Sequence, residues 1–168
     1  MSQSSQTESF LQTGLSLYAE AKTTLTVFED ELEKVVVDSL DGFLGTVERF
    51  AFKPTTSTTN RYWRRSRTER SPFMSVWRPG TLDGVTCELY LGVWWRPPID
   101  EAYESALYVC FNDTGRVTEM CRPKRKPDHE RIIAKDHRFL IPYARADLPD
   151  LAKDADLLLQ AFAGALAP

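Results

Sequence analysis

The sequence lacks the short motifs that mark most enzymes and cofactor-binding proteins. It has no GxxxxGK[ST] or GxGxxG phosphate loop and no GxSxG nucleophile elbow. Its only two histidines, His129 and His137, form no HxxxH pair, and no CxxC is present. We interpret both histidines, and the acids Asp100, Glu101 and Glu104, as solvated loop residues. We therefore predict no catalytic residue, no metal site and no cofactor, and we favour a protein that is not an enzyme.

Cysteine and long apolar runs are also scarce. The three cysteines, Cys87, Cys110 and Cys121, are odd in number and widely spaced, which is typical of reduced thiols rather than of a disulfide framework. No segment approaches the roughly 20 apolar residues of a membrane-spanning helix. Residues 1–10 are polar, unlike a secretory signal. These features lead us to expect a cytoplasmic protein that does not enter a membrane.

Hydrophobic periodicity of the helical kind dominates the first quarter of the chain. A chain of 168 residues with 42% hydrophobic residues fits a single domain, in which we expect residues 1–7 to be disordered. Over residues 8–45, apolar side chains recur every three, four or seven positions, which predicts one long helix or two with a break near residues 29–31. Such a helix of about 35 residues runs about 50 Å, more than the width of one small domain. The overhang suggests a homodimer formed through this helix.

From residue 47 the period changes to two, which predicts β-strands. Short strands are predicted at 47–53, 61–65 and 73–78, with a turn that starts at Arg78-Pro79-Gly80. The clearest strand is Val85–Trp95, which is apolar on one side and mixed on the other. This alternation predicts an antiparallel sheet that is covered mainly on one face.

The remaining chain completes an α+β fold: a long N-terminal helix, an antiparallel sheet of about six strands and a C-terminal helix packed on the sheet. Residues 106–112 are apolar on both sides and are expected at the centre of the sheet, joined by a tight turn to 116–121. Pro142 predicts that strand 137–143 lies at an edge. Asp147 is expected to cap the last helix, with Pro149 in its first turn.

Charge is distributed unevenly, although the net charge is only −3. Residues 8–48 hold nine acids and two bases, a net of −7, whereas residues 61–78 hold six arginines and one acid, a net of +5. Residues 116–138 hold eight bases and four acids, a net of +4. The predicted N-terminal helix is therefore acidic and the predicted sheet region is basic.

The basic region also contains aromatic residues, and together they predict a binding surface. The segment 61–70 reads RYWRRSRTER, and Tyr90 and Trp94 fall on the mixed side of the clearest strand. Three alternatives are arginines that pair with the protein's own acidic helix, a solvated mixed-charge surface whose arginine stems cover the aromatic rings, and a sheet that is covered on this side as well. The predicted surface consists of Arg61, Trp63, Arg64, Arg65, Arg67, Arg70, Trp77, Tyr90 and Trp94.

Three functions compete for this surface. Arginine and tryptophan are enriched at the energetic centres of protein interfaces, so the leading hypothesis is an inhibitor, an immunity-type protein or an adaptor that binds an acidic protein partner. The alternative is a nucleic-acid-binding protein, because arginine and aromatic rings can neutralise phosphates and stack on bases. A second alternative is a small-ligand-binding or hydrolytic domain with a pocket between sheet and helix.

Overall fold

The computed structural model describes residues 3–44, 50–52, 62–64, 73–82, 84–111, 126–147 and 149–166. The class is α+β, as predicted, with an N-terminal helix, an antiparallel sheet and a helix packed against it. The predicted turn and strand that lead to residue 121 lie outside the described residues, as does Cys121 itself. In chain order the elements are α1 (Gln3–Leu44), β1 (Phe50–Phe52), β2 (Tyr62–Arg64), β3 (Phe73–Leu82), β4 (Val85–Trp95), β5 (Tyr103–Phe111), β6 (Ile133–Lys135), β7 (Arg138–Ala144) and α2 (Leu151–Leu166).

The chain divides into two compact units, Met1–Lys34 and Val35–Pro168. Helix α1, Gln3–Leu44, is 42 residues long; it makes up the described part of the first unit, and its residues 35–44 belong to the second. The threonines within it satisfy their hydroxyls locally, since those of Thr23, Thr24 and Thr26 donate to carbonyls four residues back, at 2.9–3.1 Å.

The sheet belongs to the second unit, and all its strand pairs are antiparallel. The order is β1-β3-β4-β5-β7-β6, and β2 also pairs with β3. The longest pairing joins β3 to β4, from Phe73 opposite Trp94 to Leu82 opposite Val85. Gly84 takes a φ of 80° in the tight turn between them, a conformation that glycine adopts without cost. Strands β1, β2 and β6 have only three residues each, so the body of the sheet is β3-β4-β5-β7.

Two expectations that rest on proline are wrong. The first is the turn at Pro79, and the second is the position of β7 at an edge of the sheet. The turn predicted at Pro79 does not occur, because β3 continues to Leu82. On its outer side, β2 pairs with residues 73–75 and β1 with residues 80–82. Pro79 falls between these two short strands. No described strand pairs with it on that side, so the N–H that proline lacks is not needed there for a hydrogen bond.

The second wrong expectation is that β7 forms an edge of the sheet. It lies between β5 and β6, and β6 falls in a segment for which no strand was predicted. However, β6 pairs only with residues 138–140 of β7. Pro142 lies beyond that pairing, so proline still occupies a locally unpaired position among the described strands. Strand β5 is central, as predicted.

One face of the sheet, the helix face, forms the main core. It carries the apolar alternate residues of β4, of which Cys87, Leu89 and Leu91 are at most 1% exposed. Helix α2 covers this face through Phe162, whose ring lies 5.5 Å from those of both Phe111 and Phe139. The apolar buried side of α2 includes Ala155, Leu158, Leu159, Phe162 and Leu166, so the predicted packing of this helix on the sheet is confirmed.

The N-terminus of α2 differs from the prediction. Asp150, not Asp147, is the capping residue: its side chain accepts the Lys153 N–H at 3.3 Å, and its carbonyl accepts the Asp154 N–H at 2.9 Å. Asp147 instead closes the preceding turn by accepting the Ala144 N–H at 2.7 Å. Pro149 therefore stays outside the helix.

Asp154, in the first turn of α2, is the most deeply buried carboxylate that the structure describes, with 2% of the residue exposed. Arg131 donates to its two oxygens at 2.8 Å each, and the Tyr143 hydroxyl donates at 3.0 Å. The hydrogen bond to Asp154 raises the pKa of Arg131. Burial and then the nearby Asp154 charge raise the pKa of Tyr143 far above its usual value. This network attaches α2 to β7 and to the segment before β6.

The network predicts an asymmetry between its two charged partners. Arg131→Leu leaves the Asp154 carboxylate buried without its counter-charge, so we expect a loss of about 3 kcal/mol in the free energy of unfolding. Asp154→Asn leaves an arginine that is already 48% exposed, so we expect a loss of about 1–2 kcal/mol. Urea unfolding measures both. Arg145→Leu is the control, because its pair with Glu104 is long, at 3.8 Å, and exposed. Equal losses in the two network variants would contradict the assignment.

Candidate functional site

The second face of the sheet, the aromatic face, carries the other alternate residues of β4, including Tyr90 and Trp94. Trp77 of β3 lies directly opposite Tyr90. Their rings stack with centroids 5.8 Å apart and planes inclined by 21°. Such cross-strand aromatic pairs stabilise a sheet beyond the area they bury. Two of the predicted binding residues, on neighbouring strands, are therefore brought into contact.

Trp94 forms the second aromatic contact on this face. Its ring meets Tyr108 of β5 edge to face, with centroids 6.1 Å apart and an interplanar angle of 65°. The guanidinium carbon of Arg138, on β7, lies 5.4 Å from the Trp94 ring centroid, within cation–π range. The indole Nε1–H of Trp94 is buried and has no hydrogen-bond acceptor within the described part of the chain.

The aromatic face is neither open to solvent nor fully covered. Ala106, Tyr108, Cys110 and Leu140 are buried on it, and Tyr90, Trp94 and Ile99 pack partly buried around them. Ile99 belongs to the connection between β4 and β5, which therefore covers part of the face. Tyr90 and Trp94 are half-buried, rather than the exposed pair that strand alternation suggests.

Glu88 is held beside the stacked pair. The Tyr90 hydroxyl donates to its carboxylate at 2.6 Å. Burial, followed by this hydrogen bond and the Glu88 charge, raises the pKa of Tyr90 well above its usual value. The described acid nearest to the stacked rings is thus engaged within the protein, and Tyr90 stays neutral at physiological pH.

Gly92 lies between Tyr90 and Trp94 along β4, opposite Ser75 of β3. A Cβ atom on Gly92 would overlap the carbonyl oxygen of Met74 and would lie 2.8 Å from the Cα of Ser75. The close approach of β3 to β4 therefore requires glycine at this position. This approach sets the position of the Trp77–Tyr90 pair relative to Trp94.

The predicted arginines divide into three groups. Arg61, Arg65, Arg67 and Arg70 lie outside the described residues. Arg64 and Trp63 belong to β2, in register with Phe73 and Met74. Arg78, which also counts toward the basic segment, lies on the helix face and is buried, where its guanidinium binds both carboxylate oxygens of Asp41 at 2.7 and 2.9 Å. At least this one arginine pairs with the protein's own acidic helix.

A surface pocket of about 420 Å³ adjoins this face at the connection from β4 to β5. Ile99 belongs both to its lining and to the cluster on the aromatic face. The pocket lies at the rim of the sheet. Asp100, Glu101 and Glu104, the acids that we interpreted as loop residues, line the pocket. Arg96, whose φ is 52°, lies beside them. The lining residues are Arg96, Pro97, Pro98, Ile99, Asp100, Glu101, Tyr103 and Glu104.

Other kinds of site find little support in the described ranges. Within them, no group of three or more histidine, cysteine or acidic side chains could hold a metal ion. His129 has a local role, because its Nδ1 accepts the N–H of Arg131 at 3.2 Å. Cys87 and Cys110 are buried. No helix in the described part of the chain is long and apolar enough to span a membrane.

Comparisons of the chain with family models, with curated protein sequences and with solved structures find no match. Function therefore has to be argued from the site itself.

Four residues of the aromatic face were not among the predicted binding residues: Tyr108, Arg138, Glu88 and Gly92. Strand alternation places Glu88 and Gly92 on the same side as Tyr90, but it does not show the part that either residue plays there. Tyr108 and Arg138 join the face only through the registers of β4 with β5 and of β5 with β7. Those registers are not contained in the pattern of any single strand.

Gly92→Ala tests the close approach of β3 and β4. We expect a loss of about 2 kcal/mol or more in the free energy of unfolding, because the new methyl group forces the strands apart. Near-ultraviolet circular dichroism should also change, since the tryptophan environments shift. Gly84→Ala serves as a comparison, because it strains a turn but meets no atom within 4 Å. A Gly92→Ala variant with the stability and near-ultraviolet spectrum of the parent would show that the approach is looser.

Tyr90 makes stability depend on alkaline pH. Its pKa in the folded protein is raised above the unfolded value of about 10. The corresponding stabilisation is complete below pH 10 and is lost as pH rises above it. Tyr90→Phe removes this loss, so the variant should lose less stability than the parent between pH 9 and pH 11 in urea unfolding. Identical slopes in the two proteins would show that Tyr90 ionises freely.

Proposed function

We propose that this chain is a non-enzymatic cytoplasmic interaction protein whose aromatic face binds an acidic segment of a partner protein. The observation that carries the proposal is the set of half-buried rings of Trp77, Tyr90 and Trp94 on the face opposite to α2. Rings already held in place by their neighbours lose little conformational entropy on binding. Tryptophan and tyrosine are also the residues that dominate protein interfaces energetically.

The charges around these rings favour an acidic partner. Arg138 lies against Trp94, and Lys135 is its register partner on β6. Toward the opposite edge of the sheet, Arg64 of β2 lies in register with Phe73 of β3. Arg65, Arg67 and Arg70 follow Arg64 in the sequence. The acid beside the stack, Glu88, is already bound by Tyr90. Complementary charge of this kind raises association rates and selects among partners.

The buried indole N–H of Trp94 adds a donor that lacks an acceptor among the described residues. A buried donor without a partner costs about 1–3 kcal/mol. A partner carboxylate beside Arg138 would pair with the guanidinium next to this ring. An inhibitor, an immunity-type protein or an adaptor fits this surface, because each works by binding and needs no reactive group.

Charge reversal tests the proposal. Affinity purification from native cell extract, with and without nuclease, compares the parent with Arg64→Glu/Arg65→Glu/Arg67→Glu. We expect a protein partner that survives nuclease and is lost in the variant, because the change replaces attraction to its acids by repulsion. The effect on isolated binding should exceed about tenfold.

A matched control separates local from general charge effects. Lys34→Glu/Arg145→Glu/Lys153→Glu changes the net charge equally at three exposed positions elsewhere, and it should retain the partner. Trp94→Leu keeps an apolar side chain but removes the ring, and it should weaken binding without reversing charge. A partner that binds the arginine variant normally would show that the surface is wrongly placed.

Nucleic acid is the second candidate, because the Arg138–Trp94 contact resembles the arginine and ring combinations that stack on bases. It predicts retention on single-stranded DNA or RNA with an affinity that falls steeply with salt. Recovered proteins that vanish after nuclease treatment would favour this function over the first.

A further inference from the structure

The part of α1 that belongs to the first unit carries exposed apolar side chains. Eight large ones are between 49% and 76% exposed: Phe10, Leu11, Leu15, Leu17, Tyr18, Leu25, Val27 and Phe28. At 3.6 residues per turn, Leu11, Leu15, Tyr18 and Leu25 fall on one side of the helix and form an apolar stripe. Phe10, Leu17 and Phe28 flank this stripe, and Val27 lies on the opposite side. So large an exposed apolar surface on a helix marks a contact site.

The stripe has the spacing of a helix-pairing seam. Leu11, Leu15, Tyr18 and Leu25 follow the alternating steps of three and four residues that bring side chains to one line between two helices. Lys22 occupies the position of this seam that lies between Tyr18 and Leu25. We propose that this seam pairs with the same seam of a second copy of the chain, in antiparallel orientation.

Charge decides between the two orientations. A parallel pair sets Lys22 of one copy against Lys22 of the other at a buried layer, which is unfavourable. An antiparallel pair that overlaps the exposed segment of both copies is centred near residue 20. Lys22 then lies beside the Tyr18 ring of the other copy, where its stem packs and its ammonium contacts the ring face. Leu15 meets Leu25 of the other copy in the adjoining layers.

The flank of the seam fits the same arrangement. With the centre near residue 20, Phe28 of one copy lies over Gly14 of the other, and the two Ala21 residues meet at the axis. A large ring therefore faces a residue without a side chain. Among the described residues, no atom that could clash lies within 4 Å of the position that a Cβ on Gly14 would take.

The available area is sufficient for a stable dimer. At about 200 Å² for a full aromatic side chain, Tyr18 and Phe28, which are 69% and 49% exposed, offer roughly 240 Å² in each copy. Leu11, Leu15 and Leu25, between 53% and 69% exposed, add roughly 300 Å² in each copy, so the pair can bury on the order of 1,100 Å². This value lies near the lower limit of specific interfaces.

Light scattering on the full chain measures the mass. A monomer has a mass of 19.2 kDa, so we expect about 38 kDa at 100 µM protein. Leu15→Glu and Leu25→Glu should each shift the mass to that of the monomer, because each buries a charge at the seam. Ser16→Glu is the control: it adds the same charge on the polar side of the helix and should leave the dimer intact. Circular dichroism checks that the helix is retained.

Cross-linking tests the orientation. A mixture of Leu15→Cys and Leu25→Cys chains should form a disulfide-linked pair on mild oxidation, whereas each variant alone should not exceed the parent chain. Cross-linking of Leu15→Cys with itself would overturn the antiparallel arrangement. A parent chain that stays monomeric at 100 µM, or a Ser16→Glu variant as disruptive as Leu15→Glu, would overturn the pairing itself.

Discussion

The register of β4 against its two neighbours is the constraint on which the rest of the sheet depends. Side chains alternate along a strand, so a shift of one residue would exchange the two faces. In the observed register, Leu89 and Leu91 meet Phe111 and Val109 on the helix face. The same register brings Tyr90 opposite Trp77 on the aromatic face. The core and the candidate surface are therefore two consequences of one pairing, and Gly92 permits the close approach that the pairing requires.

Two bidentate ion pairs hold helices to this sheet, and they differ in which partner is buried. In the pair of Arg78 with Asp41, the arginine side chain is 8% exposed and the aspartate 51%. In the pair of Arg131 with Asp154, the arginine is 48% exposed and the aspartate 3%. A half-exposed partner keeps much of its hydration, so each pair avoids part of the desolvation cost of a fully buried one. Geometry and specificity, more than net energy, are what such pairs contribute.

Local pattern predicted the parts of the fold that are governed locally. The bounds of β4 and the buried side of α2 follow from alternation and from helical spacing, because a half-buried strand or helix imposes its period on the sequence. β6 was missed because three residues are too few to show a period. The choice of Asp150 over Asp147 as the cap was missed because both residues are aspartates, a residue type that suits the capping position. Arg78 could have been assigned to the helix face, since it alternates with Met74, Val76 and Leu82.

The two exposed features of the chain differ in what they require of a partner. The aromatic face is partly covered and flanked by bases, so it suits a charged ligand of limited area. The stripe on α1 is apolar and extended, and its single lysine disfavours parallel self-pairing, so it suits a helix of matching pattern. A dimer of two chains paired through α1 would present two aromatic faces, one from each chain. Two linked faces raise the effective concentration of the second contact, so even a modest affinity at each face would suffice for stable binding to a repeated or dimeric acidic target.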